Sequence, residues 1–296
     1  MSDNIATAFA VKYGTNVSLL LQQKRTKLRG AVQEGTYQGK QAEVVTQYGP
    51  TEMRQRTTRY QPIVPVNTPN DRRWVFPSDF DWADFLDSVD KLRVLADPKS
   101  AYVQNGVAAA NRKIDTIIIT AFFADAKTGE AGGTTTTFPA GQNIDAAFGA
   151  AAATGMTVAK LREGRRILME NEVDLDAEMP HCAVSAEQHD DLLGEMQVIS
   201  SDFNGGDRPV LKDGKVTHFL GIEFHHSERL DVNGSSQRRN PLWVPSGMHL
   251  GVWGEVSTDV SQRRDLEGLP WQCYIALTMG ATRTEEEKVV EIECAE

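Results

Sequence analysis

The sequence predicts an α+β fold, because helical patterns and strand patterns occupy different parts of the chain. Apolar residues recur at helical spacing over residues 103–121 and again over residues 158–168. Beyond Asn171 the apolar runs become short and are separated by turn residues, which is typical of strands. A segment with no core-forming pattern, residues 36–79, precedes the longest helical pattern.

The composition is that of an ordinary globular protein. With 296 residues, 40% of them hydrophobic, the chain can form one large or two modest domains. The formal net charge of −10 argues against a surface built as a whole to bind nucleic acid. Neither a signal peptide nor an apolar run of roughly 18 residues is present, so we expect no membrane contact. The three cysteines are widely spaced and form no CxxC pair: Cys182, Cys273 and Cys294. We therefore expect neither a zinc site nor disulfide bonds, and a protein located in a reducing cytosol.

The N-terminal segment carries a narrow apolar stripe. One apolar residue recurs at every fourth position, which predicts an amphipathic helix that lies on a surface and ends near Leu28. We expect this stripe, and Phe9 and Tyr13 within it, to contact other subunits. The stripe consists of Ile5, Phe9, Tyr13, Val17 and Leu21.

Residues 36–79 form a predicted arm without a core of its own. Strand-forming runs at residues 42–48, 63–66 and 73–76 flank a polar tip at residues 49–56. A two-stranded ribbon alone in water is marginally stable, and its free edges invite association. The arm holds six Lys/Arg against four Asp/Glu, whereas the rest of the chain is acidic. We expect its arginines to meet carboxylates on adjacent subunits, with simple solvation as the alternative: Arg54, Arg56, Arg59, Arg72 and Arg73.

Three further helices follow from apolar spacing. Residues 81–95 read as a helix, and Asp97-Pro98 supplies an N-cap and a first-turn proline for the next one. That helix continues to about Asp125, roughly 40 Å at about 1.5 Å per residue, and is interpreted as a structural spine. A third helix, residues 158–171, is capped by Thr157. Its basic residues are expected to face solvent: Lys160, Arg162, Arg165 and Arg166.

The remaining chain predicts strands and one more helix. Strand patterns occur at residues 182–184, 219–225, 250–253, 271–281 and 288–292. The second of these is expected to be entered through a hairpin turn at Asp213-Gly214. A helix is predicted at residues 186–196, and an acidic turn at residues 285–287 joins the last two strands.

No combination of residues satisfies the spacing of a catalytic or metal site. His225 and His226 are the most suggestive pair, but adjacent strand residues point to opposite faces, so we favour two partly buried strand histidines. Ser185 precedes His189 and Asp190 without a GxSxG elbow, and is better explained as a helix cap. Residues 129–133 lack the Lys-Ser/Thr of a phosphate loop. The alternating acids Asp174, Asp176 and Glu178 lack the glycine and distant glutamate of a calcium loop. We therefore expect no enzyme, no cofactor and no bound metal.

Several stretches, in their order along the chain, resemble a known family. They are Ser18-Leu19-Leu20-Leu21-Gln22-Gln23-Lys24, Thr68-Pro69-Asn70-Asp71-Arg72-Arg73, Asp79-Phe80-Asp81-Trp82-Ala83-Asp84, Thr157-Val158-Ala159-Lys160-Leu161-Arg162-Glu163, Phe219-Leu220-Gly221-Ile222-Glu223-Phe224 and Met279-Gly280-Ala281-Thr282-Arg283. Over essentially its whole length the chain resembles a tailed-phage major capsid protein of the Hong Kong 97 fold.

The resemblance implies a division of the chain and a function. It implies an N-terminal arm at residues 1–35, an extended loop at 36–79, a peripheral domain at 80–125 and 255–296, and an axial domain at 126–254. The subunit would form hexamers and pentamers of an icosahedral head in the virion. The head would be assembled in the host cytoplasm and would enclose double-stranded DNA without sequence-specific binding.

Two features depart from some family members. The chain begins directly at the N-terminal arm, so a separate scaffolding protein is implied, together with a portal. Lys40 is the only lysine of the extended loop and lies at its base, which argues against covalent cross-linking. Shell stability would then depend on non-covalent contacts or on an accessory cement protein. An encapsulin-like cargo shell shares the fold and is one alternative. A soluble metal-dependent hydrolase using His225 or His226 is the other.

Overall fold

The structure is a computed structural model that describes residues 20–60, 62–86, 98–195, 211–212 and 215–296. Its helices are α1 (Pro98–Phe123), α2 (Val158–Glu170) and α3 (Ala186–Gly194). No helix in these ranges combines the length and hydropathy needed to cross a bilayer. The strands of the same ranges are β1 (Gln33–Thr36), β2 (Ala42–Tyr48), β3 (Asn70–Val75), β4 (Ser78–Leu86), β5 (Ala126–Thr128), β6 (Thr134–Thr136), β7 (Asn143–Ile144), β8 (His181–Val184), β9 (Leu211–Lys212), β10 (Lys215–Val216), β11 (His218–Phe219), β12 (Ile222–His226), β13 (Gln237–Trp243), β14 (Met248–Gln262), β15 (Trp271–Arg283) and β16 (Val289–Ala295).

The long helix packs on a four-stranded sheet with the order β1-β14-β15-β4. Ile114, Ile118 and Phe122 lie at four-residue intervals on the buried face of α1. They contribute to a core shared with β14 and β15. Near the start of α1, a side chain on Gly106 would overlap Trp82 and Ile275, so glycine allows the helix to approach the sheet closely. With 26 residues, α1 confirms the predicted spine helix.

A six-stranded mixed sheet, with the order β11-β12-β8-β13-β16-β7, separates two cores. Successive residues of a strand face opposite sides. Leu242 therefore joins the core under α2, whereas the neighbouring Trp243 joins the core under α1. Trp243 donates a hydrogen bond from Nε1 to the carbonyl of Ala31 (2.8 Å), which ties the end of the N-terminal segment to this sheet.

The arm belongs to a smaller antiparallel sheet, β2-β3-β5-β6. The observed β2 matches the predicted run at residues 42–48, and β3 covers most of the predicted run at residues 73–76. The predicted strand at residues 63–66 is wrong, because those residues are exposed and have no ladder partner. β9 and β10 pair antiparallel as the predicted hairpin requires, although Asp213 and Gly214 lie outside the described residues.

Two predicted helices are corrected. Residues 81–86 belong to β4, which pairs with β15 from Ser78↔Met279 to Leu86↔Trp271, and residues 87–95 lie outside the described part. The less exposed positions of β4 alternate with a period of two: Phe80, Trp82, Asp84 and Leu86. Phe85, which the helical prediction placed inward, is exposed. Residues 20–28 contain no helix, so the predicted helical end near Leu28 is also wrong, and residues 5–19 lie outside the described residues.

Two smaller predictions also change. The predicted strand at residues 219–225 is two strands, β11 and β12, joined by a turn in which Leu220 and Gly221 have positive φ. Lys160 was expected to face solvent, yet its side chain is buried. Its Nζ donates to the carbonyls of Thr154 (2.7 Å), Gly155 (2.9 Å) and Glu293 (3.0 Å), which replace the hydration of the ammonium group.

Candidate assembly interface

The paired strands of the extended arm end at a defined point, and the chain beyond that point is exposed. The β2–β3 ladder runs from Ala42↔Val75 to Tyr48↔Asn70. Just beyond it, the Gly49 amide donates to the Pro69 carbonyl (2.8 Å). Every described residue from 50 to 69 is exposed and lies outside helices and strands. This segment, residues 50–69, is called the arm tip below.

The arm tip carries large apolar side chains that the subunit itself does not cover. Met53 is 102% exposed, Tyr60 97% and Ile63 95%. Val64 and Val66 are also mostly exposed. Scattered apolar residues are normal on a surface, whereas several on one short segment are typical of an interaction site. The arm tip therefore has the composition of a contact surface.

The five arm arginines fall into three groups. Arg54, Arg56 and Arg59 lie on the exposed arm tip, where Arg56 donates from Nε to the Thr58 carbonyl (3.0 Å). Arg72 is half-exposed, with its Nε 3.7 Å from a carboxylate oxygen of Glu43. Arg73 does not fit the expectation of a contact with an adjacent subunit, because its side chain is only 3% exposed.

Arg73 instead belongs to a buried ionic cluster at the base of the arm. Its NH2 group lies 2.9 Å from Oε2 of Glu286, and Arg283 Nε lies 3.5 Å from the other oxygen of that carboxylate. NH1 of Arg283 donates to the carbonyls of Phe122 (2.7 Å) and Ala124 (3.0 Å), at the C-terminal end of α1. Burial lowers the pKa of Arg283. The Arg73–Glu286–Arg283 cluster thus joins the arm, the spine helix and the end of β15.

Further hydrogen bonds hold the arm base in place. Gln47 donates from Nε2 to the Thr284 carbonyl (2.6 Å). Trp74 donates from Nε1 to the Gly129 carbonyl (2.7 Å), and the Gly129 amide donates to Asp71 (2.9 Å). The base of the arm is therefore fixed to the body of the subunit.

The N-terminal segment is fastened to the spine helix by one buried carboxylate. Asp115 accepts hydrogen bonds from the backbone amides of Lys27 (3.0 Å) and Leu28 (3.3 Å) and from the side chain of Gln23. These amides thus bond to Asp115, and residues 20–28 do not form the predicted helix. Arg112 adds a hydrogen bond to Gln22 (2.6 Å). Phe9 and Tyr13, which were expected to contact other subunits, lie outside the described residues.

Replacing Asp115 by alanine is expected to destabilise the subunit by about 1–3 kcal/mol, because two backbone amides lose their acceptor. Burial raises the pKa of Asp115, because burying the charged carboxylate is unfavourable. The alanine variant no longer has this unfavourable burial, which offsets part of the lost stability. Urea unfolding measures the change, with Thr120→Ala on the exposed face of the same helix as the control. Equal stabilities for Asp115→Ala and the wild type would contradict the described anchor.

The structure places the two adjacent histidines on opposite faces, as predicted, but only His225 is partly buried, whereas His226 is exposed. His226 faces away from the α1 core, where its Nε2 lies 2.6 Å from Glu228 and its Nδ1 lies 3.1 Å from Lys27 Nζ. His225 points to the other face, where its Nε2 lies 3.0 Å from Nδ1 of His181. Sequence reasoning missed His181, because it lies 44 residues away and meets His225 only through the pairing of β8 with β12.

Ser185 and His189 make structural contacts, in agreement with the interpretation of Ser185 as a helix cap. Ser185 caps α3 in a capping box with Gln188, as the sequence analysis favoured. Its hydroxyl donates to Glu296 (2.8 Å), and Nε2 of His189 accepts from the Val216 amide (3.0 Å). Ser185 and His189 are thus both engaged in structural contacts.

The acidic loop and the basic helix also have structural roles. Asp174 accepts from the amides of residues 176 and 177 (3.1 Å each), and Glu178 accepts from the Ser246 amide (3.1 Å). On α2, Arg162 is exposed and Arg166 bonds to two glutamates of its own helix. Arg165 donates to the Leu220 carbonyl.

The side chains of the three cysteines are buried. Burial raises the pKa of the Cys294 thiol to about 12, so it is protonated at neutral pH. Burial likewise raises the pKa of the Cys182 thiol.

An arm without a core, a firmly anchored arm base and a long spine helix define a structural subunit of a larger assembly. The chain belongs to the phage capsid protein family, whose sequence profile matches residues 5–296. It is thus a structural major capsid protein of the virion shell and not an enzyme. No curated protein matches the chain significantly.

Solved capsid structures share the fold. The capsid of cyanophage P-SCSP1u is similar with a TM-score of 0.73 and 16% identity, over 96% of this chain and 93% of that chain. The capsid of cyanophage Pam1 is similar with a TM-score of 0.71 and 13% identity, over 100% of this chain and 99% of that chain. The structure from Mycobacterium phage Che8 is similar with a TM-score of 0.68 and 13% identity, over 96% of this chain and 97% of that chain. The predicted Hong Kong 97-type capsid fold is confirmed, and the cargo-shell and hydrolase alternatives are not favoured.

Proposed function

We propose that the subunit builds its shell by laying the arm tip across a neighbouring subunit. The single observation that carries this proposal is the contrast within the arm. Residues 50–69 are exposed and rich in apolar side chains, whereas the arm base is anchored by the Arg73–Glu286–Arg283 cluster. An apolar segment of this kind gains stability only when a partner removes it from water. Closed symmetric shells provide such a partner for every copy.

Charge supports the same arrangement. The chain as a whole carries a formal charge of −10, whereas the arm tip presents Arg54, Arg56 and Arg59. Attraction between a basic tip and an acidic neighbour favours encounter and fixes the register of the contact. Arg72 is exposed enough to take part in such a contact, and Arg73 is left out of the proposal because it is buried.

The division of the chain into domains remains our proposal. Residues 1–35 form the N-terminal arm, 36–79 the extended loop, 80–125 and 255–296 the peripheral domain, and 126–254 the axial domain. The pairing of β16 with β13 and β7 favours moving residues 289–295 to the axial side. The peripheral sheet would then consist of β1, β14, β15 and β4.

The assembled state is proposed to contain hexamers and pentamers, built in the host cytoplasm around a separate scaffolding protein with a portal at one vertex. Phe9 and Tyr13 of the N-terminal arm are proposed to contribute further contacts between subunits. Because the arm tip has no lysine, stability would come from non-covalent contacts or from an accessory cement protein. The shell would enclose double-stranded DNA without sequence-specific binding, since the acidic chain lacks the clustered basic face that grips phosphates.

Assembly of the purified protein tests the proposed function. Light scattering and negative-stain imaging across micromolar concentrations are expected to give rings of five or six subunits, and closed shells when scaffolding protein is added. A monomer that stays stable at every concentration and salt would overturn the proposal.

A further inference from the structure

We propose that His181, Glu223 and His225 form a binding site for one divalent transition-metal ion, with Zn²⁺ as the best fit. The three residues offer two imidazole nitrogens and one carboxylate oxygen within 4.8 Å of one another. The site lies in the six-stranded sheet, away from the arm. It is therefore independent of the function proposed above.

Strand pairing brings the three side chains together. β8 and β12 are parallel, with Glu223 opposite His181 and His225 opposite Ala183. Residues opposite each other in a ladder share a face of the sheet, and so do residues two apart on one strand. Glu223 and His225 therefore point to the same side as His181. A sheet holds such groups in fixed positions, which a loop would not.

The distances suit a small tetrahedral ion. Nδ1 of His181 lies 3.0 Å from Nε2 of His225 and 3.6 Å from Oε2 of Glu223. Zinc binds imidazole nitrogen at about 2.0–2.1 Å and carboxylate oxygen at about 2.0–2.2 Å, so two ligand atoms of a tetrahedral site lie roughly 3.3 Å apart. Small rotations of the side chains are enough to admit the ion. Three protein ligands leave the fourth position for water.

One side of the site is covered by an aromatic ring, and the other is open to solvent. The ring of Trp243 lies 5.8 Å from that of His181 and 6.2 Å from that of His225, which shields one side of the pair. The Glu223 side chain is 39% exposed and opens the site to solvent.

A bound ion would connect β8 to β12 and stabilise the folded subunit, since the ligands come together only in the fold. The competing explanation is a hydrogen-bonded histidine pair with no affinity for metals. The two explanations differ in how the protein responds to zinc, and His226 provides a matched control. It lies on the same strand as His225 but on the opposite face, next to Glu228.

The test uses the full chain, purified without a histidine tag, stripped with EDTA and titrated with ZnCl₂ by calorimetry. We expect about one ion per chain. His181→Gln and His225→Gln should each weaken binding at least about 100-fold, since even outer-shell changes cost 10–100-fold. Glu223→Gln should weaken it about 10-fold or more, and His226→Gln should leave it unchanged.

Thermal unfolding of the wild type gives a readout that does not depend on folded variants. At a zinc concentration of about 100 times Kd the unfolding midpoint should rise by about 4 °C, whereas MgCl₂ should have no effect. The proposal is overturned by an absent zinc shift, by binding that His181→Gln and His225→Gln leave intact, or by an equal loss in His226→Gln.

Discussion

Replacing residues 50–68 by the two-residue turn Asn-Gly is expected to abolish shell assembly and to leave a folded subunit. Gly49 and Pro69 already lie together, joined by a 2.8 Å hydrogen bond, so a tight hairpin turn fits between the two strands. The removed residues are all exposed where the structure describes them, so their loss takes little from the core. The apolar and basic groups that we propose to contact a neighbour are lost together.

Assembly of this variant is measured by sedimentation and negative-stain imaging in the presence of scaffolding protein, and its folding by circular dichroism and thermal unfolding. We expect an unfolding midpoint close to that of the wild type. An arm-tip variant that still forms normal shells would show that the tip is dispensable. Loss of folding would show that the tip belongs to the core of the subunit.

Two smaller variants separate the contributions of charge and apolar contact within the arm tip. The triple change Arg54→Gln, Arg56→Gln and Arg59→Gln is expected to slow assembly mainly at low salt, because exposed charges act over a screened range. The triple change Met53→Ser, Tyr60→Ser and Ile63→Ser should weaken assembly at every salt concentration. Equal salt dependence in the two variants would argue against this division of roles.

Replacing Glu286 by glutamine is expected to lower the free energy of unfolding by about 3–5 kcal/mol, because it removes the carboxylate that two buried guanidinium groups share. The exposed fraction of the side chain is 3% for Arg73, 0% for Arg283 and 11% for Glu286. Water therefore cannot replace the lost carboxylate. The amide of glutamine is neutral and satisfies the geometry only in part.

Urea unfolding measures this change, and two further variants interpret it. Adding Arg73→Met to Glu286→Gln removes one uncompensated charge and should recover part of the lost stability. Glu170→Gln breaks an exposed ion pair with Arg166 and should produce no measurable change. A loss below about 1 kcal/mol in Glu286→Gln would contradict the buried cluster.

The Arg73–Glu286–Arg283 cluster also links the prediction for Glu286→Gln to that for the arm tip, because it holds the base from which the arm extends. A subunit with Glu286→Gln that still folds is expected to assemble poorly, since an arm with a loose base must be ordered when it binds. Assembly yield compared with subunit stability across the single and double variants measures this link.

Local patterns in the sequence were sufficient for much of the architecture. The spine helix, the capped helix α2, the capping role of Ser185 and the strand at residues 42–48 each depend on residues close in the chain. The absence of a core in the arm could also be predicted locally, because a segment without sustained apolar periodicity cannot form a core from its own side chains. The order of these elements was enough to reveal the resemblance to phage capsid proteins.

Features that depend on distant residues were decided only by the tertiary structure. β4 has an alternating pattern short enough to be mistaken for a helix, and its pairing with β15 fixes it as a strand. Lys160 and Arg73 have the sequence context of surface residues, yet carbonyls or a carboxylate from distant segments allow their burial. The meeting of His181 with His225 depends on the parallel register of β8 and β12. Charge burial and strand register are set by partners far along the chain, so no local pattern encodes them.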